Sequence, residues 1–336
     1  MKKQDLLNVL ERVSPGLARK DMIEQATSFA FMGDRVVTFN DEISISCKLP
    51  DMNLTGAVKA EELYKFLSKV KTEEIELTTE GTEIRIKSGK AKVGLTIESE
   101  IRLPLEELGE LGKFKKLPDD FLSTLKIVRF CCSKDMSNPK LTCINVRKDG
   151  LMESCDNFRV IRFQMKSTCP AGFLFPASAA NALVGYQVEA MSVSPGWVHF
   201  ASKDQSLIFS CRVYSEEYPN LDANFKITGT TPFTFPKESL EILDRAQIFS
   251  KGDIFIDQQV EITAEGKRLF IRAKRAGSWF EEWAKIPETA SFSTLVHPQF
   301  LQDILKLTST CEILPGRMMK FTGENWEHVA SMSVSV

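Results

Sequence analysis

Apolar residues recur at helical spacing in six stretches of the chain. The first two are KQDLLNVLERV (3–13) and AEELYKFLSKV (60–70), and each places large apolar residues three or four positions apart. The residues that share one face are Leu6, Leu7, Leu10 and Val13 in the first stretch and Leu63, Phe66, Leu67 and Val70 in the second. This spacing predicts amphipathic helices that bury one side and expose the other.

A different pattern follows the second helix. In EIELTTEGTEIRIKSGKAKVGLTI (74–97), apolar and polar residues alternate, and the alternation is interrupted at Glu80-Gly81 and at Ser88-Gly89. Alternation with a period of two indicates a strand with one buried face, and interruptions that contain glycine indicate tight turns. The segment is therefore predicted to be a three-stranded antiparallel meander.

The order of helix, strands, helix and strands occurs three times along the chain. Further helical stretches begin near Pro118, Pro176, Pro236 and His297. Corresponding helices recur at intervals of about 115 to 120 residues, and chance rarely reproduces both order and spacing. We predict an α+β protein with three copies of one module, each made of two helices packed on antiparallel sheets. The predicted domains are 1–110, 117–222 and 230–336, with linkers near 104–118 and 220–232.

The composition is that of an ordinary globular protein. The chain has 336 residues, 43% of them hydrophobic, and a formal net charge of −2. With balanced charge, any contact with DNA requires basic residues gathered on one surface. The eight cysteines form no CxxC pair, which argues against a zinc site or a disulfide framework. Neither a cleavable apolar leader nor a membrane-spanning run is recognisable, so we expect a cytoplasmic protein.

The sequence contains no recognisable catalytic or cofactor motif. Its three histidines, His199, His297 and His328, are not in HExxH or a related spacing. A Walker loop, a GxSxG motif and a GxGxxG motif after a strand are all missing from the sequence. The pair Glu281-Glu282 lies beside two tryptophans in an alternating stretch, where a solvated strand face is the simpler interpretation. We therefore expect a non-enzymatic protein with no metal or organic cofactor.

Three stretches resemble motifs of the bacterial DNA polymerase sliding clamp, the β subunit of the replicase. SCDNFRVIRFQM (154–165) is similar to the Thr-Asp-Gly-His-Arg-Leu motif of the second clamp domain, with Asp156 and Arg159 in place. RVYSEEYPNLD (212–222) resembles the Gly-x-Phe-Pro-Asp-Tyr phrase that ends that domain, and LDRAQIFSKGD (243–253) resembles the helix end that opens the third. The order and spacing of these motifs extend the resemblance over the whole chain.

The chain departs from the family pattern at two of these places. Asn157 and Phe158 replace the usual Gly-His pair, and the chain ends in SMSVSV instead of a Met-Pro-Met-Arg-Leu tail. Asp156-Asn157 also suits a tight turn with left-handed backbone, which is a purely structural explanation of these two residues. A bacterial host and a virus with its own replication machinery are both consistent with this pattern, and the departures make a virus plausible without deciding between the two.

The resemblance implies a head-to-tail homodimer that closes into a ring around duplex DNA. Such a clamp tethers the replicative polymerase and makes synthesis processive, binding DNA without regard to sequence. A loader that uses ATP would open it, since this sequence has no nucleotide-binding loop. The alternative is a scaffold on the same fold that binds peptides without encircling DNA.

Candidate DNA contacts come from helix faces and from loops. Lys65 and Lys69 share a face of the second helix, and Lys126, Arg129 and Ser133 share a face of the third. By the resemblance, the loops after the first and third helices add Arg19, Lys20, Lys134 and Lys140. A solvated helix surface is the alternative explanation of the helical positions. The last two helices carry the acidic residues Glu241, Asp244 and Asp303, so the third module is expected to attract DNA less.

The resemblance also implies a pocket for a short linear motif of the polymerase or the clamp loader, and a subunit interface. The predicted pocket residues are Ile144, Cys155, Phe158, Arg159, Val160, Pro219, Met332 and Val334. At the interface, Ile248 and Phe249 are expected to meet Leu103 of the partner. For the apolar residues in both groups, internal core is the alternative explanation.

Overall fold

The computed structural model describes residues 1–50, 52–250, 258–275 and 277–333. The chain forms two compact units: unit 1 is Met1–Ser123 with Ser167–Ser215, and unit 2 is Thr124–Lys166 with Glu216–Val336. Both contain helices and antiparallel strands, so the prediction of an α+β protein is confirmed. None of the helices in the described ranges has the length and apolar character needed to cross a membrane.

Helices and strands follow one another in the predicted order. The helices are α1 (Lys3–Val13), α2 (Ala60–Lys69), α3 (Phe121–Val128), α4 (Ala177–Leu183), α5 (Ser239–Ser250) and α6 (Pro298–Leu305). The strands are β1 (Ser28–Gly33), β2 (Arg35–Phe39), β3 (Ile43–Lys48), β4 (Leu54–Lys59), β5 (Glu76–Glu80), β6 (Glu83–Ser88), β7 (Ala91–Glu98), β8 (Lys115–Lys116), β9 (Cys143–Val146), β10 (Leu151–Cys155), β11 (Arg159–Gln164), β12 (Phe173–Pro176), β13 (Ala190–Ser194), β14 (Trp197–Ala201), β15 (Leu207–Arg212), β16 (Thr231–Thr234), β17 (Val260–Arg275), β18 (Ser278–Val296), β19 (Thr310–Leu314), β20 (Met318–Thr322) and β21 (Trp326–Ser331).

Unit 1 is built on one antiparallel sheet with the strand order β5-β6-β7-β4-β1-β2-β3-β15-β14-β13-β8. Strands β5, β6 and β7 form the predicted meander, with turns at Gly81 and Gly89, where φ is positive. Helix α1 lies against α2, β2 and β3, and its Leu6, Leu10 and Val13 side chains are fully buried. The apolar stripe read from the sequence is therefore the face that packs on the sheet.

Unit 2 contains strands hydrogen-bonded in the order β9-β10-β11-β21-β20-β19-β16 and a separate long hairpin of β17 and β18. Helices α5 and α6 pack together, and α5 also lies on both strands of the hairpin. Leu243 of α5, Ile271 of β17, Leu301 of α6 and Phe321 of β20 are fully buried in one cluster. The helices, the sheet and the hairpin of this unit therefore share a core.

The prediction that α3 carries Arg129 and Ser133 on one helical face is wrong. The α-helix ends at Val128, and Arg129–Cys131 continue as a single 3-10 turn. The Ser154 hydroxyl donates to the Val128 carbonyl oxygen, which a longer α-helix would use internally. Lys126 is therefore the only one of the three residues that lies on the α-helix.

The predicted linker at 104–118 is partly regular structure. Leu105–Leu108 form a 3-10 helix, and the Ser194 hydroxyl donates to the Leu108 carbonyl oxygen over 2.6 Å. Strand β8 then pairs with β13. Contacts within the chain define two units, and the division into three domains remains a prediction.

Candidate functional site

The turn between β10 and β11 is held by the side chain of Asp156. One carboxylate oxygen accepts hydrogen bonds from the backbone N–H groups of Phe158 and Arg159, both at 2.8 Å. The backbone N–H of Asp156 also donates to the Arg159 carbonyl oxygen at 3.0 Å. Neither Asp156 nor Asn157 has a positive φ, so the predicted left-handed turn is wrong. The aspartate closes the turn through its side chain instead, which removes the need for a left-handed residue.

Arg159 is the centre of a buried ionic network. Its guanidinium contacts Asp156 at 3.1 Å and Asp303 of α6 at 2.8 Å, and it donates to the Phe130 carbonyl oxygen at 2.5 Å. Burial opposes the charged form, but the neighbouring groups, Cys131 and the carboxylates of Asp156 and Asp303, together outweigh it, and the pKa of Arg159 is raised above its ordinary value. Asp303, one of the acidic residues expected to make the third module attract DNA less, is thus paired with Arg159, and its side chain is 16% exposed.

Aromatic rings surround the same guanidinium. Arg159 lies 4.4 Å from the centroid of the Phe300 ring and 5.5 Å from that of Phe130. Phe158 stacks on Phe300 with centroids 6.2 Å apart. His297 caps α6 by accepting a hydrogen bond from the Gln299 backbone N–H, and burial lowers its pKa to about 4. The network therefore fastens the β10–β11 turn to α6.

A groove of about 510 Å³ lies beside this turn, within unit 2. The large apolar residues that line it are Phe158, Val160, Ile227, Leu314, Met318 and Val329. Val160 and Val329 are cross-strand partners in β11 and β21, and Met318 and Ile227 pack against the cluster that contains them. A concave apolar surface with a few polar groups at its edge is the usual form of a ligand or peptide site.

The charges at the groove are mostly positive. Lys226 and Arg317 line it, are exposed, and form no ion pair with any residue of the described ranges. Asp156 is the one carboxylate in the lining, and it is bound to Arg159. The groove therefore presents an apolar floor and a cationic edge to whatever binds there.

The structure brings only part of the predicted pocket to the groove. Phe158, Arg159 and Val160 line it, and Cys155 lies in the cluster beneath it. The Tyr218 hydroxyl accepts a hydrogen bond from the Cys155 backbone N–H at 2.9 Å, which places the neighbouring Pro219 near the cluster but not in the lining.

The other predicted pocket residues lie elsewhere. Ile144 of β9 is fully buried and does not reach the groove, because its side chain points into the interior. Met332 packs in the core cluster formed with α5 and α6. Val334 lies outside the described residues. Ile144 and Met332 are therefore core residues, which is the alternative that the sequence left open.

Sequence reasoning missed Ile227, Leu314, Arg317, Met318 and Val329. Ile227 is an isolated apolar residue in the polar stretch 226–230, and such a position is a signal of burial within a loop. Leu314 and Met318 flank a turn at Pro315-Gly316, where Gly316 has a φ of +69°. These local signals indicate that the residues are buried or in a turn, but they do not show which residues they contact. The contacts are set by the pairing of the strands.

The predicted DNA contacts are exposed to different degrees. Arg19, Lys20, Lys69, Lys126 and Lys134 are exposed, whereas Arg129 and Lys140 are half-buried. Lys65 is exposed but pairs with Glu61 one turn earlier on α2. A surface ion pair of this kind contributes ~0.3–0.5 kcal/mol, so it is easily exchanged for a phosphate.

The predicted subunit contacts also differ in exposure. Ile248 on α5 is 63% exposed. Phe249 stacks on Phe280 of β18 with centroids 5.7 Å apart, and Leu103 is buried with Phe39 and Trp197 in the core of unit 1. Leu103 is therefore a core residue, and Phe249 is partly buried by its contact with Phe280. Of the three predicted interface residues, Ile248 is the one whose side chain faces solvent.

Known proteins resemble this chain in structure but not detectably in sequence. No family model matches the chain, and no curated protein matches it. The β subunit of DNA polymerase from Streptococcus pyogenes superimposes with a TM-score of 0.85 at 17% identity, covering 100% of this chain and 99% of that one. The DNA polymerase sliding clamp of Bacillus subtilis gives 0.82 at 16%, covering 100% and 98%. The β subunit of DNA polymerase III from Thermotoga maritima gives 0.80 at 16%, covering 100% and 99%. The chain therefore has the sliding-clamp fold over its whole length.

Proposed function

We propose that this protein is a DNA sliding clamp that tethers a replicative polymerase to its template. The observation that carries the proposal is the match of the entire chain, from end to end, to the fold of polymerase clamps. A clamp stays on DNA because it encloses the duplex and not because it binds it tightly. A polymerase bound to the clamp therefore stays near the primer end after it dissociates from it. The role is non-enzymatic, and a separate loader that uses ATP opens the ring.

The ring is proposed to consist of two copies of the chain in head-to-tail contact, each contributing three repeats of the module. A heterologous interface whose rotation closes generates a ring instead of an open filament. The exposed Ile248 supports this interface, because an apolar side chain at a surface is removed from water by association. The recurrence of helix, strands, helix and strands along the chain supports the three repeats.

Duplex DNA is proposed to contact the exposed cations without regard to sequence. Arg19, Lys20, Lys69, Lys126 and Lys134 provide this charge. Contacts to phosphates carry no sequence information, so a protein that uses only these contacts is free to slide.

The groove beside the β10–β11 turn is proposed to bind a short linear motif of the polymerase and of the loader. Its apolar floor of Val160, Met318 and Val329 suits apolar anchor side chains, and its cationic edge suits acidic residues beside them. A weak peptide contact is sufficient, because tethering on DNA raises the effective concentration of the polymerase.

Loading onto nicked circular DNA with a loader and ATP tests the proposal directly. We expect the protein to stay on the closed circle through a high-salt wash and to leave once a restriction enzyme makes the circle linear. Enclosure explains both results, since only free ends release a ring. Retention that is equal on circular and linear DNA would contradict the clamp.

The alternative is a peptide-binding scaffold with the same fold that does not encircle DNA. The burial of Leu103 favours it, because one residue of the predicted interface is committed to the core of unit 1. The molar mass in solution separates the two functions: a stable dimer supports the ring, and a monomer at micromolar concentration supports the scaffold.

Reversing the charge at the groove edge is expected to weaken binding of an acidic peptide about ten-fold, or about 1.4 kcal/mol. The variant carries Lys226→Glu and Arg317→Glu, and both positions are exposed, so the fold is expected to persist. Fluorescence anisotropy would use a labelled peptide with leucine and phenylalanine anchors flanked by aspartates. Lys237→Glu, an exposed site outside the groove, is the control. Unchanged affinity in the double variant would show that the edge charges do not select the peptide.

A further inference from the structure

The same tripeptide, Lys-Asp-Met, occurs at 20–22 and at 134–136 and nowhere else in the sequence. The first copy lies in the first loop (18–27), after α1 and before β1, and the second lies in the second loop (133–140), after α3 and before β9. The two copies start 114 residues apart, which is close to the interval at which the helices recur. The two loops are therefore corresponding parts of a repeated module.

Both carboxylates of the first loop are engaged within unit 1. Asp21 accepts hydrogen bonds from the Thr27 backbone N–H at 3.1 Å and from the Thr27 hydroxyl at 2.7 Å, and it pairs with Lys59. These hydrogen bonds, that from Lys59 first, lower the pKa of Asp21 below its ordinary value. Glu24 contacts Arg102 at 2.5 Å. The negative charges of this loop are therefore bound to groups of the chain itself.

The second loop repeats this arrangement. Asp135 accepts hydrogen bonds from the Ser137 backbone N–H at 2.9 Å and from the Ser137 hydroxyl at 2.7 Å, and its own backbone N–H donates to the Ser133 hydroxyl at 3.0 Å. The hydrogen bonds from Ser137 lower the pKa of Asp135. An aspartate that accepts a hydrogen bond from a backbone N–H further along its loop fixes the turn between them. In both loops the aspartate thus positions its two neighbours, a lysine and a methionine.

The methionine of each copy extends into solvent. Met22 is 92% exposed and Met136 is 63% exposed. The cations beside them are also exposed and form no ion pair with any residue that the structure describes: Arg19 and Lys20 in the first loop and Lys134 in the second. A single exposed apolar residue is ordinary in a globular protein. The same residue at corresponding positions of two loops, each time beside unpaired cations, indicates a shared ligand that is both anionic and partly apolar.

We propose that Met22 and Met136 are apolar contacts to duplex DNA and that they contact the deoxyribose rings along the minor groove. The proposal rests on the clamp function and adds a type of contact that lysines alone do not provide. Duplex DNA is anionic at its phosphates and apolar at its sugar rings, so a cation next to a methionine matches both. Methionine is unbranched and flexible, so it adapts to a surface that changes during sliding. Contact with sugars carries no sequence information.

A protein partner is the other class of ligand that exposed methionines suit. The charge of the loops favours DNA, because their three carboxylates are engaged within the chain whereas their exposed cations are not. The third module lacks the tripeptide, so the contact is expected from two loops of each chain and from four loops of a ring of two chains.

The test measures binding of a labelled 20-base-pair duplex to the full chain by fluorescence anisotropy at several salt concentrations. The double variant Met22→Gln with Met136→Gln is expected to weaken binding about ten-fold at every salt concentration. Its slope of log affinity against log salt is expected to stay unchanged, because burial of apolar surface releases no counterions. Lys20→Gln with Lys134→Gln is instead expected to make that slope shallower by about 1.8, at ~0.9 for each phosphate contact.

Two further variants isolate the apolar contact. Met22→Leu with Met136→Leu keeps the apolar surface and is expected to bind duplex as the unaltered chain does. Met32→Gln is the control, because Met32 is 44% exposed and lies on β1 outside both loops.

The aspartate of the second loop provides an opposite test. Removing a negative charge close to DNA ordinarily strengthens binding to phosphates. Since Asp135 positions Lys134 and Met136, Asp135→Ala is expected to weaken duplex binding about three-fold in spite of that gain.

Three results would overturn the proposal: unchanged affinity in the glutamine double variant, an equal loss in the leucine double variant, and tighter duplex binding in Asp135→Ala. Loss of affinity for the labelled acidic peptide in the glutamine variant, with duplex binding unchanged, would assign the methionines to a protein partner and would also overturn it. So would duplex binding by the unaltered chain that is too weak to measure. Loading onto nicked circular DNA separates these failures from failure of the clamp function, because an enclosing ring stays on a closed circle without any direct contact.

Discussion

Replacing Asp303 by alanine is expected to lower the free energy of unfolding by about 3 kcal/mol, the largest stability effect that we predict for a single residue. The change leaves the buried Arg159 guanidinium with one carboxylate, Asp156, and the Phe130 carbonyl oxygen. Removing one partner of a buried ion pair costs more than the pair contributes, because the remaining charge stays out of water. Urea unfolding monitored by circular dichroism measures the difference.

Two comparisons isolate the cause. Asp303→Asn keeps a hydrogen-bond acceptor near Arg159 and is expected to lose less stability than the alanine variant. Asp244→Ala removes an exposed aspartate from α5 and is expected to change the free energy of unfolding by less than about 0.5 kcal/mol. Equal stability of Asp303→Ala and Asp244→Ala would show that the Arg159 network does not stabilise unit 2.

The same substitution is expected to affect the groove. Arg159 fastens the β10–β11 turn to α6, and the neighbouring Phe158 lines the groove while stacking on Phe300. With the ionic link to α6 removed, the turn keeps its own Asp156 hydrogen bonds and the aromatic contacts with Phe300, and it is held less firmly. Peptide affinity is therefore expected to fall together with stability.

Replacing Met318 by aspartate is expected to weaken peptide binding about a hundred-fold while leaving the fold intact. The side chain lies half-exposed in the groove, so a carboxylate there remains hydrated in the free protein. A bound apolar anchor would strip that water away, at a cost of about 2–3 kcal/mol. Anisotropy with the labelled acidic peptide measures the loss.

Met136→Asp is the matched control for this prediction. Met136 is 63% exposed, belongs to the same unit and lies outside the groove lining. It is expected to bind the peptide as the unaltered protein does. If Met318→Asp and Met136→Asp retain the same affinity, the peptide binds elsewhere and the groove assignment is wrong.

Local sequence patterns were sufficient for most of the secondary structure. The stretch KQDLLNVLERV coincides with α1, and the glycines at 81 and 89 mark the turns of the β5-β6-β7 meander. These elements follow from the spacing of apolar residues and from backbone preferences, which act over a few residues. The end of α3 did not follow from these patterns, because it depends on a distant residue: the hydroxyl of Ser154 in β10 donates a hydrogen bond to the Val128 carbonyl oxygen.

The sequence by itself determined the α+β class and the six helices found among the described residues, and its resemblance to sliding clamps pointed to Phe158, Arg159 and Val160 as part of one site. Only the tertiary structure decided the rest of the groove, because Val329 reaches Val160 through the pairing of β21 with β11. It also decided the role of Arg159, whose partner Asp303 is 144 residues away in the chain. The spacing of apolar residues shows which side of a helix or strand is buried. It does not show which element packs against that side, because this depends on how distant parts of the chain pair.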